Sequence, residues 1–457
     1  MSERFDVVVI GLGPGGEEVA ERLAEAGLKV AGIDSTLVGG ECPYWGCIPS
    51  KTIIRAGNAL AEARRIPQLA GASSVTPDWA PVARRLREET DNWDDRAAVE
   101  RFQRLGGTFF RGQARLVGAG AVAVEDAQLE ASRAIVIATG TSASVPPLPG
   151  LAEAGYWINR DVIEMKQLPA SLVVLGGGAI GVELAQALHR FGVEVTVVEA
   201  ADRLLAVEEP QASETLAKVF AAEGISVRTG AAVRSVSRRD GRILLSLEGG
   251  EEVAAERLLV STGRRANLRG LGLEAAGLDP SARFISVDDR MRAAPGIWSV
   301  GDVTGQGAFT HVAVYQARIA IDDILGRDGP AADYSGLPRV TFTDPEIGAA
   351  GLTERQAIER GMRVRAGVVP LGQVTRGWIH GPGADGFIKL VEDADRGVLV
   401  GGTTAGPSGG EMLSMLTVAV SCGVPTEKLR HLIYAYPTFH RGIEGALQAL
   451  EEVAAPA

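Results

Sequence analysis

Apolar and polar positions follow one another along this chain in two kinds of block. Near the N-terminus "FDVVVIG" is a continuous apolar run of strand length. "GEEVAERLAEAG" follows, with its apolar residues at three- and four-residue spacing. An uninterrupted apolar run suits a strand buried on both faces, and the second pattern suits a helix with one apolar stripe. A further apolar run, "LKVAGID", closes the unit at Asp34. The same order returns in "SLVVLGGGAIGVELAQALHRFGVEVTVVEA", from residue 171 to 200. Two strand–helix–strand units predict an α/β chain with parallel sheets. Two more buried-strand runs, "IVIATG" (135–140) and "LLVSTG" (258–263), both end in Thr-Gly, and "GIWSVGDV" (296–303) ends at Gly301 and Asp302. Two nucleotide-binding halves of similar plan are the simplest explanation.

Past residue 337 the pattern changes. "PRVTFTDPEIGAAGLT" sets short β-rich runs between Pro and Gly turn signals, and "GFIKLVEDADRGVLVGGTTAG" reads as a hairpin. Helical patterns follow, which predicts a separate α+β domain. The charge-rich stretch 80–105 reads as helical with a solvated face.

Composition narrows the function classes. A chain of 457 residues allows two to four domains at about 100–200 residues each. The net charge of −11 argues against a nucleic-acid groove or an anionic-membrane patch. The most apolar long stretch, "LVVLGGGAIGVELAQAL", contains Glu183 and four glycines, so no membrane span is expected. "MSERFDVVVIG" has no charged-then-apolar leader, and a cytoplasmic location is expected. With three cysteines the chain is not a disulfide-stapled scaffold.

The chemistry concentrates in the loops after the apolar runs. Gly11, Gly13 and Gly16 stand between strand and helix in G-x-G-x-x-G spacing. Asp34 ends the next strand, where an acid meets a ribose hydroxyl. Gly176, Gly178, Gly181 and Glu199 repeat that arrangement at the same offsets. Glycines permit a tight turn and close approach to a diphosphate, and the helix N-terminus favours the anion. The chain therefore has two dinucleotide sites. Asp302, at a strand end, reads either as a group facing the ligand crevice or as a helix N-cap.

Just downstream of the first loop, "GGECPYWGCIPSK" carries Cys42 and Cys47. Five residues along a regular helix is too far for a disulfide, which wants Cα atoms about 4.4–6.8 Å apart. Pro43 suits a first helical turn, leaving Cys42 just outside the helix, and Pro49 distorts the turn between the cysteines. The pair can then close as a redox disulfide. Two small structural residues, or half of a metal site, are the alternatives. Lys51, four residues after Cys47, can favour a thiolate or serve a flavin ring or a carboxylate. Cys422, alone in an apolar helical pattern, is expected in the core. Tyr44 and Trp45 either narrow the Cys loop, form a surface for a planar acceptor, or pack in the core.

Over essentially the whole chain the sequence resembles the FAD-dependent pyridine nucleotide–disulfide oxidoreductases. These include dihydrolipoamide dehydrogenase, glutathione reductase and mercuric reductase. The resemblance rests on "GGECPYWGCIPSK", both glycine loops, "ATG", "TGRRAN", "VGDV" and "FTDPEIGAAGLT" in that order. It implies two Rossmann-like three-layer domains and a C-terminal α+β dimerisation domain. The FAD-binding domain would cover 1–150 and 271–337, the NAD(P)-binding domain 151–270 and the dimerisation domain 338–457. It implies FAD, one per subunit, held by Gly11, Gly13, Gly15, Gly16, Asp34, Gly40, Glu41, Cys42, Lys51, Ala114, Thr139, Gly140, Gly301 and Asp302. Nicotinamide dinucleotide would bind at Gly176, Gly178, Gly181, Glu199 and Gly263. Cys47 would be the thiol nearest the flavin, Cys42 the one that exchanges with substrate, and Lys51 with Glu183 an ion pair beside the ring. The protein would be a homodimer with shared active sites and a small-molecule acceptor. NAD(H) is expected over NADP(H), because a carboxylate at Glu199 repels a 2′-phosphate. Arg203 is an exception to this if it reaches the same spot. No resident metal is expected.

One departure stands out. The family's disulfide reductases use a His before Pro-Thr, with a Glu five residues later, as proton carrier. Here the run "YPTFHR" puts Tyr436 and Arg441 at those positions. A phenol with pKa about 10 stays protonated where an imidazole near 6.5 would titrate. His440 either is an exposed or capping residue or, sharing a face with Tyr436 on a helix, substitutes for the missing imidazole, and His431 is a weaker candidate. The expected function is an NADH oxidoreductase passing electrons through FAD and a Cys42–Cys47 disulfide to a disulfide-type acceptor. A quinone or dye reductase acting directly from the flavin is the alternative. Mercury reduction is a minor one, since "EEVAAPA" at the end of the sequence holds no Cys pair.

Overall fold

The computed structural model describes residues 2–452 and divides into two compact units. The first comprises residues up to 50, 83–144 and 263–333. Its core is a parallel sheet in the order 297–299, 127–137, 2–10, 30–34, 108–111, extended by antiparallel strands at 292–294 and at 114–118 with 121–124. Residues alternate between its two faces. Val7 and Val9 pack with Leu23, Phe102, Val136 and Ala317 under the helices Pro14–Glu25 and Thr310–Ile324. Val8 and Ile10 pack on the other face with Leu129, Ile137, Leu271 and Val303. The apolar runs are thus buried on both sides, as their unbroken hydrophobicity predicts. Every loop singled out in this unit leaves the C-terminal end of a parallel strand, where open α/β sheets take their ligands.

The second unit comprises 51–82, 145–262 and the chain from 334. A four-stranded parallel sheet runs 226–228, 194–198, 171–175, 257–260, with a three-stranded antiparallel sheet over 233–255. The C-terminal part is a six-stranded antiparallel sheet in the order 338–341, 346–351, 398–406, 387–393, 364–370, 451–452. It is covered by the helices Gly409–Ser421 and Gly442–Gln448. The expected hairpin is the pair 387–393 and 398–406. Among the described residues no helix is long and apolar enough to cross a membrane, and no group of three His, Cys, Asp or Glu could hold a metal ion.

The 80–105 stretch is two helices, Ala80–Glu89 and Arg96–Arg104, which keep an exposed charged face and bury Val82, Leu86 and Phe102 on the other. Two local expectations are corrected. Cys422 is exposed, because it caps the helix Gly409–Ser421 beyond its buried stripe. Residues 431–441 form turns and not a helix, so Tyr436 and His440 share no helical face. Pro437 lacks an N–H and disfavours helical backbone at the residue before it.

Candidate active site

The two glycine loops are built alike. A Cβ on Gly11 would lie 2.5 Å from the carbonyl oxygen of Ala138, and one on Gly16 would lie 1.9 Å from that of Gly11. In the second loop a Cβ on Gly176 would lie 2.5 Å from Ser261 O, and one on Gly181 would lie 2.2 Å from Gly176 O. First and third glycines are therefore sterically required. The middle ones face open space: Gly178 would meet nothing within 4 Å, and Gly13 only Gly40 Cα at 4.0 Å. Both following helices lack a side-chain cap, so their first N–H groups remain for an anion.

The strand-end acids brace these loops. Asp34 accepts the Leu12 N–H at 2.8 Å and the Thr36 N–H at 2.7 Å. Glu199 accepts the Gly177 N–H at 2.5 Å and the Ala201 N–H at 2.7 Å. Arg203 donates to Ser213 Oγ at 2.8 Å and to the carbonyls of Leu205, Ala206 and Glu208.

Around the first loop, Gly15 packs against Ala313, and Gly40, at φ +67°, abuts Gly13. Gly140 follows the strand 127–137 at φ +63°, next to Thr139, whose Oγ1 is buried without a partner. Such an orphaned hydroxyl beside an open glycine cradle fits a bound dinucleotide. Gly301 donates its N–H to Gln316. Asp302 accepts the Thr141 hydroxyl at 2.6 Å, while Gly301 holds the cap position, so the N-cap reading of Asp302 falls. Glu41 opens the helical turn that carries Cys42, and Ala114 begins the strand 114–118. Gly263, at φ +116°, precedes the strand 264–266. Arg264 links Thr141 with Glu41 and Asp302, a role the sequence pattern did not reveal.

The cysteines stand on two helical pieces and not on one distorted helix. Glu41–Tyr44 carries Cys42, and Cys47–Arg65 starts with Cys47. The chain breaks at Trp45–Gly46, and Pro49 falls in a first turn, where its missing N–H costs nothing. Neither sulfur is in a disulfide, and Cys42 hydrogen-bonds Cys47. That bond, then burial, pushes the Cys42 thiol up from its ordinary value, against an opposing hydrogen bond from Thr310. Thr310 Oγ1 also lies 3.3 Å from Cys47 Sγ. Tyr44 and Trp45 are buried, which selects the packing reading for both rings.

A neighbouring turn touches this loop. Asp91, Asn92 and Trp93 have φ of 48°, 54° and 58° in succession. Left-handed backbone costs an L-residue about 1–2 kcal/mol, and Trp gains no local compensation there. The Trp93 indole N–H donates to Tyr44 O at 3.3 Å.

In the second unit Lys51 Nζ lies 2.8 Å from Glu183 Oε2 and over the Phe342 ring. Glu183 Oε1 takes the Phe342 N–H at 2.8 Å. The helix Ala179–Arg190 carries Glu183 with Gln186 and Arg190, which bond Asp344. The "FTDPE" segment is thereby fixed against it. Tyr436 is 65% exposed, and the Arg441 guanidinium lies over its ring at 5.3 Å. His440 rests against Tyr434, and His431 pairs with Glu427 at 2.9 Å.

The chain matches the pyridine nucleotide-disulphide oxidoreductase family over residues 5–317 and that family's dimerisation domain over residues 337–447. It belongs to this family of flavoproteins, which bind FAD, use a pyridine nucleotide and act on sulfur groups, and whose dimerisation domain indicates a homodimer. Dihydrolipoyl dehydrogenase of Chlorobaculum parvum is 34% identical over 464 residues, covering 98% of each chain. Mercuric reductase of Bacillus cereus is 32% identical over 455 residues, 98% of this chain and 72% of that one. The HOCl-induced flavoprotein disulfide reductase RclA of Escherichia coli, as its Cu(II) complex, superposes with a TM-score of 0.86 at 26% identity. That match covers 98% of this chain and 99% of RclA.

Proposed function

We propose that this protein is an NADH oxidoreductase that delivers two electrons to a disulfide-type acceptor through Cys42 and Cys47. The observation that carries the reading is the contact between the two sulfurs across the Trp45–Gly46 break. FAD, when bound, supplies two-electron exchange between nicotinamide and sulfur. Gly11, Gly13, Gly16, Asp34, Thr139 and Asp302 would hold it, with Lys51 and Glu183 as the charged pair of the family. At the second loop, Glu199 accepts hydrogen bonds from a 2′-hydroxyl and repels a 2′-phosphate. Arg203 is engaged with carbonyls and Ser213, which supports NADH.

In the acceptor half-reaction Cys42 attacks one sulfur of the acceptor disulfide and expels the other as a thiol. Cys47 then attacks the Cys42 sulfur, forming the Cys42–Cys47 disulfide and expelling the second thiol. The two cysteine protons end on the two departing sulfurs. In the homodimer, the segment 434–441 of one copy would complete the site of the other. A cytoplasmic location suits the dithiol state.

A second reading is favoured by Tyr436 and Arg441, which contact each other and which the run "YPTFHR" sets at the positions of the family's His and Glu. It calls for an acceptor that needs no imidazole, such as a quinone or dye reduced directly. A soft metal ion, as named for the mercuric reductase relatives, would serve in the same way.

An acceptor screen with wild type, Cys47→Ser and Tyr436→His decides between them. Disulfide reduction is expected to vanish in Cys47→Ser and to rise toward the 10²–10⁴-fold range of general acid–base help in Tyr436→His. Quinone turnover that survives Cys47→Ser, with no disulfide turnover in wild type, would replace the first reading by the second.

A further inference from the structure

The left-handed turn at Asp91–Trp93 is the most strained segment near the redox loop, and nothing in the reaction as derived uses it. Asp and Asn tolerate such backbone, but a tryptophan does not adopt it unless its surroundings hold it there. Two hydrogen bonds run from this segment to the redox loop. Trp93 donates its indole N–H to the carbonyl of Tyr44, one of the four residues between the cysteines, just before the break. Asp95 accepts the backbone N–H of Val38, just ahead of "GGECP", at 2.8 Å, and is itself paired with Arg111. The turn is closed by backbone bonds from Asn92 N to Arg87 O and from Trp93 N to Thr90 O. Trp93 and, two residues on, Asp95 thus bond the segment 38–44 at two points.

We propose that Trp93 is a positioning residue that pre-organises Cys42 and Cys47 for ring closure, by fixing the Tyr44 carbonyl next to the Trp45–Gly46 break. The inference rests on the disulfide chemistry proposed above. Closing the ring requires the two sulfurs to meet in one geometry. A loop already held near it has a higher effective concentration of one thiol at the other, so its disulfide is more stable against an external dithiol or thiol pair. The indole ring alone gives packing; the N–H gives the register.

The experiment equilibrates the purified full-length protein, in a Cys422→Ser background, with glutathione and its disulfide, and quantifies the Cys42–Cys47 disulfide by mass after acid quenching. The exchange is balanced. One glutathione disulfide is broken, one protein disulfide forms, and the two cysteine protons pass to two glutathione thiols. Trp93→Phe keeps the ring and removes the donor. One hydrogen bond of ordinary strength corresponds to about fivefold. The equilibrium constant is expected to move about fivefold toward the protein dithiol, a shift of about 20 mV. Trp93→Leu removes the donor by another route and serves if Trp93→Phe does not fold. Asn92→Gly relieves local strain while keeping the indole, and should raise Tm and leave the constant within twofold of wild type. A lower Tm in Trp93→Phe with an unchanged constant would mean packing alone and overturns the inference. Wild-type protein that forms no intramolecular disulfide at any glutathione ratio sinks the proposed function itself, a different and distinguishable failure.

Discussion

Lys51 Nζ and the Glu183 carboxylate meet at 2.8 Å, and the other oxygen of Glu183 is taken by the backbone of Phe342. The carboxylate is 5% exposed, so its orientation is set from two sides in a poorly solvated place. Glu183→Gln keeps an acceptor for Phe342 but loses the charge, whereas Glu183→Ala loses both bonds. Thermal unfolding should show a loss of about 1 kcal/mol for Gln and about 2–3 kcal/mol for Ala. Flavin reduction by NADH, followed by stopped flow, should slow in both. Equal stability of the two variants would mean that the Phe342 bond contributes nothing.

Thr310 offers one hydroxyl to two sulfurs, at 3.3 Å for Cys47 and with an opposing pull on the raised Cys42 thiol. Thr310→Val, similar in volume, removes that hydroxyl. Iodoacetamide alkylation of the reduced pair at neutral pH should fall about tenfold or more, since a hydrogen bond to a thiolate is worth about 1.5–3 kcal/mol. Thr310→Ser should restore it.

Glu199 bonds Gly177 and Ala201 through different oxygens, so Glu199→Gln keeps one of the two acceptors while removing the negative charge proposed to repel a 2′-phosphate. The ratio of kcat/KM for NADPH to that for NADH should rise about tenfold, or about 1.4 kcal/mol. A ratio that does not move would mean that discrimination lies elsewhere.

Glu17, in the first turn after the Gly11–Gly16 loop, has its pKa raised to about 7 by burial, which outweighs the Arg101 guanidinium paired with it. A carboxyl raised on folding binds its proton more tightly in the folded state. Its contribution is complete below the unfolded value near 4.5 and fades as pH rises through about 7. Glu17→Gln, which carries no titrating proton, should flatten the decline in stability between pH 5 and 8 by up to about 3 kcal/mol, read by denaturant unfolding. An unaltered slope would show that Glu17 ionises normally.

Much of this architecture was legible because it is written locally. Strand, glycine loop, helix and strand-end acid lie within 30 or so residues and obey simple periodicities. What escaped depends on distant partners or on violated propensities. Thr310 reaches Cys47 from 263 positions away, and nothing near either residue signals it. Trp93 adopts backbone that its residue type argues against, so propensity misled and tertiary contact decided. Cys422 looked internal because its helix is apolar, yet it falls one residue past the end of that helix. The loss of helix at Tyr436 was readable from Pro437, whose ring restricts the residue before it.

The glycine loops also separate two kinds of genetic damage. Alanine is one base change from glycine and is the mildest replacement there is. At Gly16 or Gly181 its methyl would collide with a carbonyl of the same loop, so such a mutant would be lost at the folding stage. At Gly178 that methyl meets no protein atom. If the loop takes the proposed coenzyme, a cell carrying that allele would make normal amounts of well-folded protein and discover the defect only when coenzyme arrived.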